Sequence, residues 1–366
     1  MGSEIKNITI YLFDIRNRNV GLGEVAYQLG YYISQKATAL KEKYGVEFTF
    51  LVPKKFKGCF GDSVKYRTYR SIFFYKLYYR YIYKADCFHL IHQRTRLRYV
   101  RASQHSLMTI HDINFMYEKK GSRLEWYMRR FKENLQNCTN VSYISNFVKS
   151  DVESIFTPTS DGCIIYNGVT NLCDIHGGFE KFNLPDNDYL FHISSLMPKK
   201  NAHLLLEMMR YLPNEKLVIV GNLTTAYAKD LMEKKKQWNL DNVIMLNHVS
   251  NEDKAELYRH CKAFLFPSLC EGFGLPPIEA MHFGKPVFLS TLTSLPEVGG
   301  ECAYYYDDLS PEKMAKKTSD GLADFLNHKE EKTAKLIERA NSFNWEKCVG
   351  SYINLYLKIL GIDAAK

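Results

Sequence analysis

No window of 18 residues in this 366-residue chain is free of charged side chains, so a membrane-spanning helix, which needs about 20 predominantly apolar residues, is not expected. The amino terminus lacks the anatomy of a signal peptide, since Glu4 and Lys6 flank only a short strand-like run from Ile8 to Phe13. There is no Cys-x-x-Cys pair. Nine scattered cysteines, an odd number, argue against a disulfide framework and for a reducing cytoplasm. His89, His92 and the cysteines show no metal-ligand spacing, and no metal is expected. Glycine (21) and proline (11) are too few for a fibrous or low-complexity chain, and 46% hydrophobic with 24% charged residues describes a soluble globular protein. The length suits two ordinary domains or one large one.

What is present is unevenly distributed. The net charge is +9, and the segment from Lys54 to Arg101 holds thirteen Lys/Arg against two Asp/Glu, so the rest of the chain is slightly acidic. The same segment carries thirteen of the 51 aromatic residues. A merely solvated basic face has no need of interleaved Tyr and Phe, whereas a surface facing anionic headgroups favours both.

Short apolar runs alternate with helical patterns throughout. The first half reads as a strand (Ile8 to Asp14), a turn at Val20-Gly21-Leu22-Gly23, a helix from Glu24 to about Lys43 and a strand from Val46 to Val52. Further runs follow at Phe88–Ile91, Leu107–Ile110, Val141–Ile144 and Cys163–Tyr166. The pattern restarts with strands at Tyr189–Ile193, Leu217–Val220, Val243–Leu246, Ala263–Pro267 and Pro286–Ser290, separated by helices at Asn201–Tyr211, Ala226–Trp238, Glu252–Cys261 and Pro276–Phe283. Alternation of this kind predicts parallel sheets covered by helices. The expected architecture is α/β with two Rossmann-like domains facing a central cleft: residues 1–175, residues 186–344, and a linker near Gly177–Asp188. A final helix, Trp345 to Leu360, carries Val349, Ile353, Leu357 and Leu360 at helical spacing and could cap the second domain or cross back to the first.

The densest chemistry lies in Phe266-Pro-Ser-Leu-Cys-Glu271-Gly-Phe-Gly-Leu-Pro-Pro-Ile-Glu279-Ala-Met. A strand ends, a loop with Gly272 and Gly274 lets backbone amides approach a ligand, and a helix starts near Pro276. Amides before a helix N-terminus suit a phosphate. Two carboxylates would repel a phosphate but accept hydrogen bonds from neutral hydroxyls. A phosphate in the middle and hydroxyls at each end is the layout of a nucleotide sugar.

Glu271-x7-Glu279 in this context strongly resembles the signature of the retaining glycosyltransferases of family 4, which have the GT-B fold. The resemblance extends over nearly the whole chain, through Gly21-Leu-Gly23, His111-Asp112, Ser145-Asn146-Phe147-Val148-Lys149, Tyr166-Asn167-Gly168-Val169, Ser194 to Lys200 and Gly221-Asn222. It implies a hexosyltransferase that is retaining and metal-independent, with no cofactor beyond its nucleotide-diphosphate-sugar substrate, GDP-mannose or a UDP-sugar. Glu271 would hold hydroxyls of the transferred sugar and Glu279 the ribose. The amides of Phe273, Gly274 and Leu275 would meet the sugar and diphosphate, with Ser195 and Gly221 also in the donor site. Lys200 would neutralise the leaving diphosphate. Gly21 and Gly23 would let a first-domain loop close over the phosphates, and His111 would sit beside the sugar, by its ring or its backbone carbonyl. The chain departs from the family at Ser195, where an arginine usually partners the lysine. A non-catalytic or weakly active partner subunit is the alternative that this substitution suggests. Outside that context, Glu271 and Glu279 read as a loop acid and a helix-dipole acid, His111 as a strand-end histidine and Asn167-Gly168 as a turn.

From Lys65 to Lys84 the chain reads KYRTYRSIFFYKLYYRYIYK. As a helix it aligns Phe73, Leu77 and Tyr81 beside Lys76, Arg80 and Lys84, with Arg67 and Arg70 preceding them. This is the expected membrane or acceptor patch, peripheral on the inner face of the cytoplasmic membrane, since bacterial members of the family use such regions to reach lipid-linked acceptors. The resemblance thus implies a lipopolysaccharide, O-antigen or capsule precursor as the acceptor. No nucleic-acid-binding signature accompanies the patch, and no nucleic-acid partner is expected.

Overall fold

The computed structural model describes residues 4–16, 21–68, 85–93 and 103–363. The chain forms two compact units, Met1–Gly168 with Trp345–Lys366, and Val169–Asn344. Both are parallel α/β sheets of the Rossmann type.

In the first unit the strands are β1 (Lys6–Tyr11), β2 (Val46–Leu51), β3 (Lys65–Arg67), β4 (Cys87–Leu90), β5 (His105–Ile110), β6 (Asn140–Tyr143) and β7 (Cys163–Ile164), in the order β3-β2-β1-β4-β5-β6-β7. The apolar runs are continuous because the strands are covered on both faces. Ile8 and Ile10 pair in register with Phe48 and Phe50, and all four are buried. Between β1 and β2 runs α1 (Gly21–Tyr44), whose Val25, Leu29, Ile33, Ala37 and Leu40 form one buried stripe. The helices α2 (Phe115–Glu118), α3 (Gly121–Asn137) and α4 (Asn146–Ile155) follow later in the unit.

Three local expectations change. Strand β1 stops at Tyr11, short of Asp14: Leu12 N–H still reaches Leu51 O at 3.0 Å, and the chain then closes into a 3-10 turn, Phe13–Arg16. Gly21 and Gly23 form the first turn of α1 and are not a separate loop before it. Lys65–Arg67, expected to begin a helix, is a strand pairing Thr49–Leu51, because the edge of β2 offers those residues ladder partners that an isolated helix start lacks. Of the expected patch, Arg67 lies in this strand, whereas Arg70, Phe73, Lys76, Arg80 and Lys84 lie outside the described residues.

The second unit holds β8 (Leu190–Ile193), β9 (Leu217–Val220), β10 (Val243–Leu246), β11 (Ala263–Phe266), β12 (Val287–Ser290) and β13 (Tyr304–Tyr306), in the order β10-β9-β8-β11-β12-β13. Its helices are α5 (Ala202–Met209), α6 (Ala226–Gln237), α7 (Asn251–Arg259), α8 (Leu275–His282), α9 (Leu295–Gly299), α10 (Pro311–Asn327) and α11 (Lys329–Asn341). Residues 169–188, read as the end of one domain and a linker, are part of this unit. Arg259 Nη2 donates to Cys173 O (2.8 Å) and Ile175 O (2.9 Å), and Gly177 N–H donates to Glu256 Oε1 (2.9 Å).

The last helix, α12 (Trp345–Ile359), belongs to the first unit. Its Val349, Ile353 and Leu357 join the core of Ile8, Ile10, Phe48 and Phe50. A buried polar chain fastens it to the sheet. His89 Nδ1 lies 2.7 Å from Tyr356 OH, and His89 Nε2 is 2.9 Å from Thr109 Oγ1. That hydroxyl is also 2.9 Å from both Ser142 Oγ and Tyr352 OH. At Gly168, where a Cβ would come within 2.4 Å of the Trp345 ring, only a glycine lets the chain pass the start of α12.

Thr109→Val leaves three buried polar groups short of a partner, and we expect a loss of about 2–3 kcal/mol in urea denaturation of the full chain. Burial holds His89 down to about 3. An unfolded histidine binds its proton near pH 6.5, so this contribution is complete above about 6.5. It erodes as pH falls towards 3, at about 1.4 kcal/mol per pH unit. Stability that does not decline between pH 6.5 and 4 would contradict this.

Candidate active site

In a doubly wound sheet, loops leaving the carboxyl ends of adjacent strands meet where the strand order reverses. In the second unit that point lies between β8 and β11, which pair at Ala263↔Leu190 and Phe264↔Phe191. The segment after β8 carries Ser195 and Lys200, and the segment after β11 carries Glu271. The two segments are stitched by backbone: Leu269 N–H donates to Lys199 O (2.8 Å) and Ser268 Oγ to the same oxygen (3.1 Å). Lys200 Nζ thereby reaches Glu271 Oε1 at 2.5 Å, with 14% and 12% of the side chains exposed, and lies 5.2 Å from the centre of the Phe266 ring.

The loop before Lys200 is tightly determined. His192, in β8 and wholly buried, donates from Nδ1 to Leu265 O (2.8 Å), which leaves Nε2 to accept from Ser194 Oγ (2.9 Å). Burial pushes the ring down to about 4, so it is neutral at pH 7. Ser194 Oγ in turn accepts from Leu196 N–H (3.2 Å), which sits at φ 46°, a left-handed conformation unusual for leucine. Gly221, at the end of β9, packs under this bend: a Cβ there would lie 2.4 Å from Ser194 O and 2.5 Å from Leu196 Cγ. Gly221 thus shapes the loop, and Ser195 is exposed on it.

The loop bearing Glu271 is held from the segment after β12. Glu271 N–H donates to Thr293 Oγ1 (3.1 Å), and Ser294 Oγ lies 2.8 Å from Phe273 O and 3.1 Å from Glu271 O. Phe273 is buried edge-on against Phe343. Gly274 precedes α8 at φ 111°, where a side chain is strained and a Cβ would meet Leu295 at 2.9 Å. Pro276 and Pro277 have no N–H, so the amides at this helix start come from Phe273, Gly274 and Leu275.

Glu279, in α8, is 14% exposed at its side chain. Lys254 Nζ donates to its Oε1 at 2.7 Å and Tyr258 OH to its Oε2 at 2.9 Å, both from α7. Burial and the Glu279 charge push the Tyr258 hydroxyl far above its ordinary range, which keeps it a donor. Lys254, Tyr258, His192, Thr293 and Ser294 were all missed in the sequence. Only the i,i+4 spacing of Lys254 and Tyr258 marks a shared helix face.

The remaining candidates belong to the first unit. His111 follows β5 and is buried. Its Nε2–H donates to Ile91 O (2.8 Å), and its backbone N–H donates to Gln93 Oε1 (3.0 Å). Gly21 is exposed and Gly23 buried at the start of α1. Among the described residues no group of three His, Cys, Asp or Glu side chains could hold a metal ion. No helix there is long and apolar enough to cross a membrane.

Two parallel units of this topology make up the GT-B fold, and the lysine and the two carboxylates lie in the second of them. Residues 178–343, nearly all of the second unit, match the family described as glycosyl transferases group 1. The chain is 28% identical over 296 residues to O-antigen chain mannosyltransferase B of Escherichia coli, covering 75% of this chain and 74% of that one. It is 28% identical over 251 residues to O-antigen chain mannosyltransferase RfbU of Salmonella typhimurium, covering 67% and 68%. Among solved structures, sucrose-phosphate synthase of Thermosynechococcus elongatus shares the fold with a TM-score of 0.75 at 19% identity, over 97% of this chain and 99% of that one.

Gly221→Ala forces a methyl against the Ser194 carbonyl, and we expect a loss of about 1–3 kcal/mol in urea denaturation. A variant as stable as the parent would mean that the bend at Leu196 is not held from β9.

Proposed function

We propose that the chain is a retaining, metal-independent hexosyltransferase that moves a sugar from a nucleoside-diphosphate donor to a lipid-linked surface-glycan acceptor. The observation that carries this reading is the second-unit turn in which Lys200 meets Glu271 and the amides of Phe273 to Leu275 precede the helix bearing Glu279. Glu271 Oε2 has no partner among the described residues and can accept from sugar hydroxyls. Lys200 would exchange Glu271 for the diphosphate as charge develops on the leaving group, with the loop amides sharing that charge. Glu279 would accept from the ribose. Departure of the nucleoside diphosphate leaves an oxocarbenium-like sugar, and the acceptor hydroxyl enters on the same face, passing its proton to the departing phosphate. By the family resemblance, His111 would act at the sugar and Gly21 and Gly23 at the phosphates. The two O-antigen mannosyltransferase relatives favour mannose as the sugar and GDP-mannose as the donor over a UDP-sugar.

A membrane surface is the second element of the proposal. Besides the segment that begins at Arg67, the stretch from Lys119 to Lys132 holds six basic residues against one acidic, Glu125. Trp126 in α3 is 42% exposed and nearby Tyr117 is 58% exposed. Basic side chains flanking exposed aromatics suit the interface of an anionic bilayer.

Transfer from GDP-mannose and UDP-hexoses to an extracted lipid-linked acceptor, with the product anomer read by NMR, tests the reaction. One donor should be used, with retention and no loss of rate in EDTA. Glu271→Gln should lower kcat about 10- to 100-fold, the worth of hydrogen bonds to a charged acceptor. An inverted product, or a Glu271→Gln enzyme as fast as the parent, would overturn the reading. Vesicle flotation should show binding to anionic but not neutral vesicles, weakened at least tenfold by Arg123→Glu with Arg129→Glu. Equal binding to both vesicle types would remove the membrane proposal.

A further inference from the structure

We infer that Lys254 and Tyr258 are positioning residues that make Glu279 a reader of a vicinal diol, so that the donor site selects ribonucleotides over deoxyribonucleotides. The inference rests on the reading of this turn as a nucleotide-sugar site. A carboxylate offers about four lone-pair directions. At Glu279 one on each oxygen is taken, Oε1 by Lys254 Nζ and Oε2 by Tyr258 OH. Two acceptor directions remain, one per oxygen, on a side chain that is still 14% exposed. A pair of adjacent hydroxyls supplies two donors at that spacing, and a single hydroxyl leaves one oxygen unsatisfied.

The placement of Lys254 shows that it serves the carboxylate more than its own helix. It is the fourth residue of α7, after Ser250 caps the N-terminus by accepting from Asp253 N–H. A cation there opposes the helix dipole, which favours acids such as Glu252 and Asp253 in the same turn. Its side chain is only 19% exposed, so water does little to offset that cost. The Glu279 carboxylate does. Lys254 and Tyr258 stand one helical turn apart on a single face of α7, and their donors converge on the two oxygens from one side. The carboxylate plane is therefore set before any ligand arrives, and a neutral diol meets an acceptor that is already oriented.

Calorimetric titration with GDP and UDP and with their 2′-deoxy and 3′-deoxy counterparts tests this, using the parent chain, Lys254→Met and Tyr258→Phe. The parent should bind its ribonucleotide at least about tenfold tighter than either deoxy form, the worth of one hydrogen bond to a charged acceptor. In Lys254→Met the ratio should shrink to about threefold or less, through weaker ribonucleotide binding and with little change for the deoxy forms. Tyr258→Phe removes only a hydroxyl and should reduce the same ratio. It keeps the test informative should Lys254→Met fold poorly. Binding of neither GDP nor UDP by the parent would bring down the nucleotide-sugar reading itself. A parent that binds one of them without discrimination, or variants that keep the parent's ratio while affinity for all forms falls together, would overturn the positioning role of Lys254 and Tyr258.

Discussion

The parallel pairing of β8 with β11 is the constraint on which the second unit's chemistry depends. The two strands are neighbours in the sheet but about 70 residues apart in sequence, because β9 and β10 are built outward on one side before the chain returns to the other. Their carboxyl ends therefore release two loops side by side. The carbonyl of Lys199 takes donors from Leu269 and Ser268, so the loops are joined by main chain before any ligand is involved. The Lys200–Glu271 contact follows from that joint. An ion pair so enclosed roughly breaks even against its desolvation cost, so it says little about stability. Under the proposed function it is the resting partner of a lysine that a diphosphate would take over.

Ser195 matters in the same frame. The loop that would present a second cation instead runs through a bend at Leu196 that three unrelated parts of the unit enforce: a neutral His192 below it, the Ser194 hydroxyl inside it and Gly221 beside it. Such a bend is over-determined, which is the condition for a leucine to persist at positive φ. Ser195 is exposed on that bend, at the position where the resemblance implies an arginine. Under the proposed function, Lys200 and the amides of Phe273, Gly274 and Leu275 would be the groups that meet the leaving phosphate. Amides need no counter-charge of their own, which suits a site whose carboxylates are already matched one to one by Lys200 and Lys254.

Some of this was legible in the sequence for a simple reason. Strands covered on both faces appear as unbroken apolar runs, so Leu217–Val220 and Ala263–Phe266 could be read without tertiary knowledge, and with them the α/β class. The spacing of Glu271 and Glu279 across a glycine loop is local and was equally visible. What escaped were features whose partners are distant. Lys65–Arg67 is a strand only because β2 lies beside it. Lys254 looks like any lysine on a charged helix until α8 brings Glu279 to it. The apolar stripe of α12 would cover either sheet equally well, and no periodicity chooses between them. The choice rests on Tyr352 and Tyr356, which meet Thr109 and His89 in the first unit.

The two units put buried polar groups to opposite uses. In the first, His89, Thr109, Ser142, Tyr352 and Tyr356 satisfy one another in a closed chain, and a network of that kind fixes which surface a helix covers. In the second, Glu271 and Glu279 are each met on one side by a lysine and keep acceptor directions in hand, with Glu271 Oε2 wholly unengaged among the described residues. A carboxylate held this way is already aimed, so a hydroxyl binding to it does not have to orient it. The difference lies in completeness of satisfaction rather than in residue type. It separates the histidine and tyrosines that hold the fold from the glutamates that are left with something to bind.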